Sequence, residues 1–341
     1  MGPTVCRRRR GTAYSEGALQ GWRGGCRPDN PGPLCRTTGQ PMNLLRHVKR
    51  CALSLTEVLV SIALLVLLVA ILLPAVQRVR GAADKLRCAN QLRQIGLALH
   101  HFHQDYGRLP PTKLPAYPSK DPHEMLMYWA ILLPYVEQDP LWSSIVDACQ
   151  LSPVAYQNPP HHGIAAKVRL YACPADERVP GPMLDINGIR ATYISYIGVG
   201  GGTVDDGVFS SCPGIRFNAV TDGLANTLMI GERPPPDTLQ AGWWYSNMID
   251  GRWIYAKQRG PESSLRVAQP SGLKYGCMGP FYFGPGRAEN PCDRLHFWSF
   301  HPLGANFVFA DGSTRFLRYS AEPVMIPLAT RAGGEAVEMP E

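Results

Sequence analysis

The sequence predicts an α+β protein, a long N-terminal membrane-spanning helix packed on a C-terminal antiparallel β-rich head, and three observations carry that expectation. Residues 53–73 read LSLTEVLVSIALLVLLVAILL, nearly all apolar, which as a helix is long enough to cross a hydrocarbon core of about 30 Å. Residues 74–106 then keep apolar side chains three or four apart, at Val76, Val79, Ala83, Leu86, Leu92, Ile95, Leu99 and Phe102, so the helix continues as an amphipathic one. Beyond Pro111 come short apolar or aromatic runs separated by Pro, Gly, Asn and Asp, the pattern of a strand-and-turn head.

The elements follow in order. Tyr106-Gly107 and Leu109-Pro110-Pro111 stop the helix. WAILLPYVEQDPLWSSIVDAC is expected to form helical turns. VRLYAC, ATYISYIGVG, LMIGE, GWWYS, RWIYA and NFVFADGSTRFLRY are expected as strands within a head spanning 107–320. Residues 321–341, with Arg331-Ala-Gly-Gly-Glu, are expected to form a loosely ordered tail.

Charge limits the class of partner. Residues 1–52 hold ten Lys or Arg and two acids, a balance of +8, so a chain total of +7 leaves the remainder at −1. A nucleic-acid binder would need a basic folded surface, which this body lacks. The basic residues instead precede the apolar run, where Arg46, Lys49 and Arg50 hold the N-terminus on the cytoplasmic side and mark the lipid bilayer as a partner. Residues 1–52 are a basic leader. Met42 opens MNLLRHVKRCA, a compact leader in itself, which makes residues 1–41 either a mis-called start or a disordered extension.

Six of the ten cysteines, Cys88, Cys149, Cys173, Cys212, Cys277 and Cys292, follow the apolar segment. No Cys-x-x-Cys pair is present, so disulfides of an exported domain are preferred to zinc, and pairing stays open.

Within the apolar run the only charge is Glu57. A carboxylate near the start of a membrane helix costs a few kcal/mol unless it is paired. It is either met by the amino group of a neighbouring subunit or snorkels to the headgroups. The run Ala52-Leu53-Ser54-Leu55-Thr56-Glu57 before an apolar helix resembles the type IV prepilin cleavage and methylation motif, whose usual form is Gly-Phe-Thr-Leu-x-Glu. The resemblance implies cutting by prepilin peptidase between Ala52 and Leu53, methylation of the new Leu53 amino group, and Glu57 as the fifth mature residue. Ala52 stands for the usual Gly and Leu53 for the usual Phe. Pro74 becomes the twenty-second mature residue, where such proteins commonly place a helix-kinking proline.

From residue 52 onward the resemblance covers nearly the whole chain. Cys88-Ala-Asn-Gln-Leu-Arg-Gln-Ile-Gly, WAILLPYVEQ, Tyr171-Ala-Cys-Pro-Ala-Asp, Thr221-Asp-Gly-Leu-Ala-Asn-Thr-Leu-Met-Ile-Gly-Glu and His301 to Gly312 are similar to successive blocks of one large pilin-like family. That family joins a prepilin-type N-terminus to a C-terminal H-x9-D-G domain of unknown function. Cys88 and Cys173 lie in two of these blocks, and their place there motivates a disulfide tying helix to head.

In the H-x9-D-G segment, Phe307 to Phe309 is expected as a strand, Asp311-Gly312 as the turn and Thr314 to Leu317 as the return strand. His301 is left over, as a loop-orienting residue or a metal ligand. Asp222 and Asn226 offer oxygens for a calcium site, against a plain Asx turn entering a strand. His100 and His103 share a helix face, which favours polar packing over a metal cluster. No nucleophile elbow, phosphate loop, dinucleotide fingerprint or zincin pair is present, so no enzyme activity, catalytic residue, metal or other cofactor is expected.

The expected protein is therefore a pilin-like (pseudopilin-like) structural protein, processed by prepilin peptidase and single-pass in the inner membrane, its head in the periplasm or at the cell surface. Its helix packs with its own copies or other pilin-like subunits in a fibre of the type II secretion or surface-display kind. The alternative is a membrane-tethered module whose Trp243, Trp244 and Trp253 capture a glycan or protein.

Overall fold

The computed structural model describes residues 54–112, 123, 126–155, 157–179, 181–184, 190–209, 214–239, 242–246, 248–249, 252–253, 264–269, 276–335 and 337. The chain divides into two units, Met1–Leu59 and Val60–Glu341. The leader, Ala52, Leu53 and Cys212 lie outside the described residues, as does the side chain of Trp253.

Helix α1 runs from Leu55 to Tyr106 and passes through Pro74. It is the single helix among the described residues that is long and apolar enough to cross a membrane. Its opening, which belongs to the first unit, is a capping box. Ser54 Oγ accepts from the Glu57 amide at 3.2 Å while Glu57 Oε2 accepts from the Ser54 amide at 2.8 Å, so each side chain satisfies an amide that the helix cannot.

Within the second unit, Ile62 to Leu73 leave their large apolar side chains exposed. Val76, Val79 and Leu86 are exposed too, so the apolar stripe becomes core only from Cys88 onward, through Leu92, Ile95, Leu99 and Phe102. The helix stops at Gly107, whose φ of +68° is left-handed backbone that glycine tolerates.

Helical segments follow at α2 (Tyr128–Ile131) and α3 (Asp139–Leu151), separated by a 3-10 turn at Leu133–Val136, as the sequence indicates. VRLYAC is not a strand: Arg169–Tyr171 is a 3-10 turn whose Tyr171 hydroxyl donates to the Trp129 carbonyl at 2.8 Å. Burial of aromatic side chains overrides the β preference of that run.

The head is built on a five-stranded sheet. After the short ribbon β1 (Met183–Leu184) and β2 (Arg190–Ala191) come β3 (Tyr196–Gly201) and β4 (Leu228–Glu232). A second ribbon, β5 (Met248–Ile249) and β6 (Arg252–Trp253), precedes β7 (Ser264–Arg266), and a third joins β8 (Ala268–Gln269) to β9 (Phe281–Tyr282). The hairpin β10 (Gly304–Phe309) and β11 (Thr314–Arg318) completes the sheet in the order β11-β10-β4-β3-β7.

The sheet is mixed, not antiparallel: β7 lies parallel to β3, Val199 opposite Leu265. A parallel neighbour needs a long crossover, and strand periodicity carries no sign of direction. GWWYS supplies only isolated bridges, Tyr193 to Trp243 and Leu126 to Ser246.

Both faces of the sheet are buried. Val308 and Ala310 join the core formed with α1, Trp129 and Tyr171, while Ala305, Phe307 and Phe309 join a second core with Phe297, Met325 and Leu328, the alternation a strand imposes. Residues 321–335 are part of this structure and not a loose tail. A 3-10 segment at Tyr319–Val324 leads into α4 (Met325–Ala329), whose Met325 and Leu328 are buried.

Candidate functional site

Strand β10 and the loops at its two ends meet α1 at two places. At the later one the β10–β11 turn sits on the helix. Gly312 has φ +82°, Asp311 Oδ1 accepts from the Ser313 amide at 2.8 Å, and the Gly312 amide donates to the Phe309 carbonyl at 2.9 Å. A Cβ built on Gly96 would stand 3.0 Å from Val308 Cγ1 and 3.5 Å from Gly312 Cα, so glycine permits the close approach. One turn on, His100 Nε2 lies 2.9 Å from the Ala310 carbonyl, and since a carbonyl only accepts, this nitrogen carries the hydrogen. His100 and His103 flank Phe217, with ring centroids 4.5 and 4.3 Å from it, and His103 Nε2 accepts from the Phe217 amide at 3.2 Å. Burial, the charges of His100 and Arg216 following, lowers the His103 pKa.

At the earlier place stands His301. Cys88 of α1 is disulfide-bonded to Cys173, which follows the Arg169–Tyr171 turn. His301 Nε2 lies 3.4 Å from Cys173 Sγ and 3.2 Å from Glu232 Oε1 at the end of β4. All four side chains are buried. His301 Nε2 and Glu232 Oε1 are thus within hydrogen-bond reach of each other. The other carboxylate oxygen, Oε2, accepts from the Asn306 backbone amide at 2.6 Å, and Asn306 Nδ2 lies 3.3 Å from both oxygens.

The His301 loop is fixed locally. Ser299 Oγ donates to the Gly304 carbonyl at 2.6 Å and accepts from the His301 amide at 3.0 Å. Leu303, between His301 and β10, has φ +71°. Tyr196 and Tyr319 feel the same carboxylate: burial first, and the Glu232 charge as a lesser cause, push both phenols up.

His301 also lines a groove of about 230 Å³ bounded by Arg80, Asp84, Pro174, Glu177 and Phe300. An exposed ion pair, Arg80 to Glu177 at 3.2 Å, joins the helix to the Cys173 loop there.

The residues singled out from sequence therefore separate. His301 and the Asp311-Gly312 pair occupy opposite ends of β10, so the H-x9-D-G motif is not one site but two fastenings of one strand to one helix. They meet α1 near Cys88 and His100, about 18 Å apart along a helix rising 1.5 Å per residue. Glu57 is engaged in the capping box, a local role read from neither charge nor hydropathy, although Ser54-x-x-Glu57 before an apolar run is the signature of one.

Asp222 and Asn226 are both engaged in hydrogen bonds within the protein. Asp222 accepts from the Gly333 and Gly334 amides at 2.7 and 2.9 Å and from Thr330 Oγ1 at 3.3 Å, while Asn226 Nδ2 donates to the Asp222 carbonyl at 3.4 Å. A cation would have to displace these donors, which pin the chain after α4. Trp243 and Trp244 are buried, Trp244 donating to Thr192 Oγ1 at 2.8 Å, so neither offers a surface for glycan stacking.

Sequence reasoning missed Glu232 and Asn306. The signal available was an acid closing the apolar strand LMIGE. A second disulfide joins Cys277 to Cys292.

The fold is a helix long and apolar enough to cross a membrane, whose later half is the spine of an α+β head that carries the H-x9-D-G strand. The chain belongs to the family described as "Protein of unknown function (DUF1559)", which matches residues 77–324. Neither a curated protein nor a solved structure matches the chain.

Proposed function

We propose that this chain is a pilin-like structural subunit, processed by prepilin peptidase before Leu53, anchored in the inner membrane with its head outside the cytoplasm, and assembled through its N-terminal helix with its own copies or related subunits. One observation carries the reading: α1 is a single helix from Leu55 to Tyr106 whose first half is apolar and exposed and whose later residues, Cys88 to Phe102, are core. An exposed apolar rod in water is costly, whereas bilayer or a bundle of like helices removes that cost. The role is structural, not catalytic. Family membership is compatible with it, and Glu57 keeps a carboxylate beside the expected new amino terminus.

The test is N-terminal analysis of the mature protein from cells with and without prepilin peptidase. A methylated Leu53 terminus dependent on the peptidase is the expected result, and an uncut terminus in both strains reduces the chain to a plain membrane anchor. Glu57→Gln separates the two roles of the side chain, since glutamine still accepts from the Ser54 amide but carries no charge. Loss of cross-linkable assemblies in Glu57→Gln with processing intact supports charge pairing between subunits. Unchanged assembly leaves Glu57 as a helix cap alone.

A further inference from the structure

Four side chains from distant points of the chain converge where α1 meets the sheet. The sulfurs of Cys88 and Cys173, an Nε2 or Nδ1 of His301 and a carboxylate oxygen of Glu232 all lie within 4.8 Å of one another, and all four residues are buried. We propose that, once the Cys88–Cys173 disulfide is reduced, these four hold one Zn²⁺ in a closed tetrahedral site of two thiolates, one imidazole and one carboxylate.

The donor set is the first argument. Two sulfur ligands with one nitrogen and one oxygen suit zinc in a structural site, where four protein ligands and no open position are usual. The second is spacing. Zinc–ligand bonds of about 2.3 Å to sulfur and about 2.0–2.1 Å to nitrogen and oxygen give tetrahedral edges of about 3.5 Å for S···N and about 3.3 Å for N···O. The observed Cys173 Sγ to His301 Nε2 distance is 3.4 Å and His301 Nε2 to Glu232 Oε1 is 3.2 Å. The two sulfurs must separate to about 3.8 Å, and the remaining donor pairs already lie within 4.8 Å of one another.

The third argument is orientation. Asn306 holds Glu232 Oε2 through its backbone amide and reaches both oxygens through Nδ2, fixing the carboxylate with Oε1 3.2 Å from His301 Nε2. Ser299 holds the His301 backbone. These are the outer hydrogen bonds by which ligands are aimed.

The chemistry balances. A phosphine or dithiol reductant supplies two electrons, and with two protons the disulfide becomes two thiols. Zinc then displaces those two protons and takes the lone pair of His301 Nε2 in the tautomer whose hydrogen is on Nδ1. The same four residues thus tie helix to head as a covalent link in oxidising surroundings and as a metal link in reducing ones.

The test uses the full chain in detergent, reduced anaerobically with a phosphine, loaded with ZnCl₂ and desalted, its zinc measured by atomic emission. The Cys88→Ser, Cys173→Ser double variant serves as reference for the remaining cysteines. The expected result is one zinc per chain more in the reduced wild type than in that variant, and no such excess in oxidised protein. Cobalt in place of zinc gives thiolate-to-metal charge transfer and the strong visible bands of tetrahedral coordination. His301→Ala and Glu232→Gln each weaken binding at least tenfold.

Reduced wild type that keeps its near-ultraviolet circular dichroism yet shows no excess zinc overturns the proposal. So does cobalt binding without charge transfer, or a reduced head that unfolds and is not restored by zinc.

Discussion

His100 Nε2 and the Ala310 carbonyl oxygen are 2.9 Å apart, joining the helix to the residue just before the Asp311-Gly312 turn. Since Gly96 lies one turn earlier under Val308 and Gly312, this contact depends on how closely the two backbones approach. Gly96→Val should force them apart and cost about 1–3 kcal/mol, the usual penalty of overpacking a core. For a head of this size that is a fall of some 2–4 °C in Tm per kcal/mol, read by calorimetry. A Tm unchanged by Gly96→Val would mean that helix and hairpin are not packed as described.

Leu303 stands at φ +71° in the loop between His301 and β10 and is exposed. Left-handed backbone costs a non-glycine residue about 1–2 kcal/mol. Leu303→Gly should therefore stabilise the head by up to about 1 kcal/mol, the gain being reduced by the greater freedom of glycine in the unfolded chain. Urea unfolding checks this, and a lower midpoint would show that the leucine side chain contributes packing.

Asp222 accepts two backbone amides from Gly333 and Gly334. Asp222→Ala should leave these donors without that partner and free the residues after α4, costing about 1–3 kcal/mol. Limited proteolysis should then cut after Arg331 at enzyme concentrations that spare the wild type. Equal cutting rates would argue that the apolar contacts of α4 suffice by themselves.

His161 gives the head a pH dependence. Its Nε2 donates to the Ser152 carbonyl at 2.8 Å and its Nδ1 accepts from the Tyr245 hydroxyl at 2.7 Å. Burial lowers its pKa from the ordinary 6.5, the Ser152 hydrogen bond opposing in part. The folded state therefore binds this proton less readily than the unfolded chain. The contribution is fully present above about pH 6.5 and is lost as pH falls through that value toward the lower folded pKa, at no more than about 1.4 kcal/mol per pH unit. Urea midpoints measured from pH 7.5 to 5.5 should fall, and His161→Gln should flatten the slope.

The long helix was legible because its signal is local: an unbroken apolar run, a stripe at helical spacing and Tyr106-Gly107 to end it. The β10–β11 hairpin was legible for the same reason, its turn chemistry lying within one segment. What could not be read depended on partners far away. VRLYAC has strand composition, yet Tyr171 is drawn into a buried aromatic cluster. The parallel partner of β3 is reached only after a long connection. Residues 321–335 carry the glycines of a loose end, and their order comes from Asp222, over a hundred positions upstream. The meeting of Cys88, Cys173, Glu232 and His301 likewise joins four separate blocks, of which Glu232 gave only the faint signal of an acid at a strand end.

The two fastenings of β10 have a mechanical consequence. Tension placed on the apolar part of α1 meets the head first at the exposed Arg80–Glu177 ion pair and is then received by a covalent bond at residue 88. Cys173 and the strand fastened beside it then share the load along its own direction.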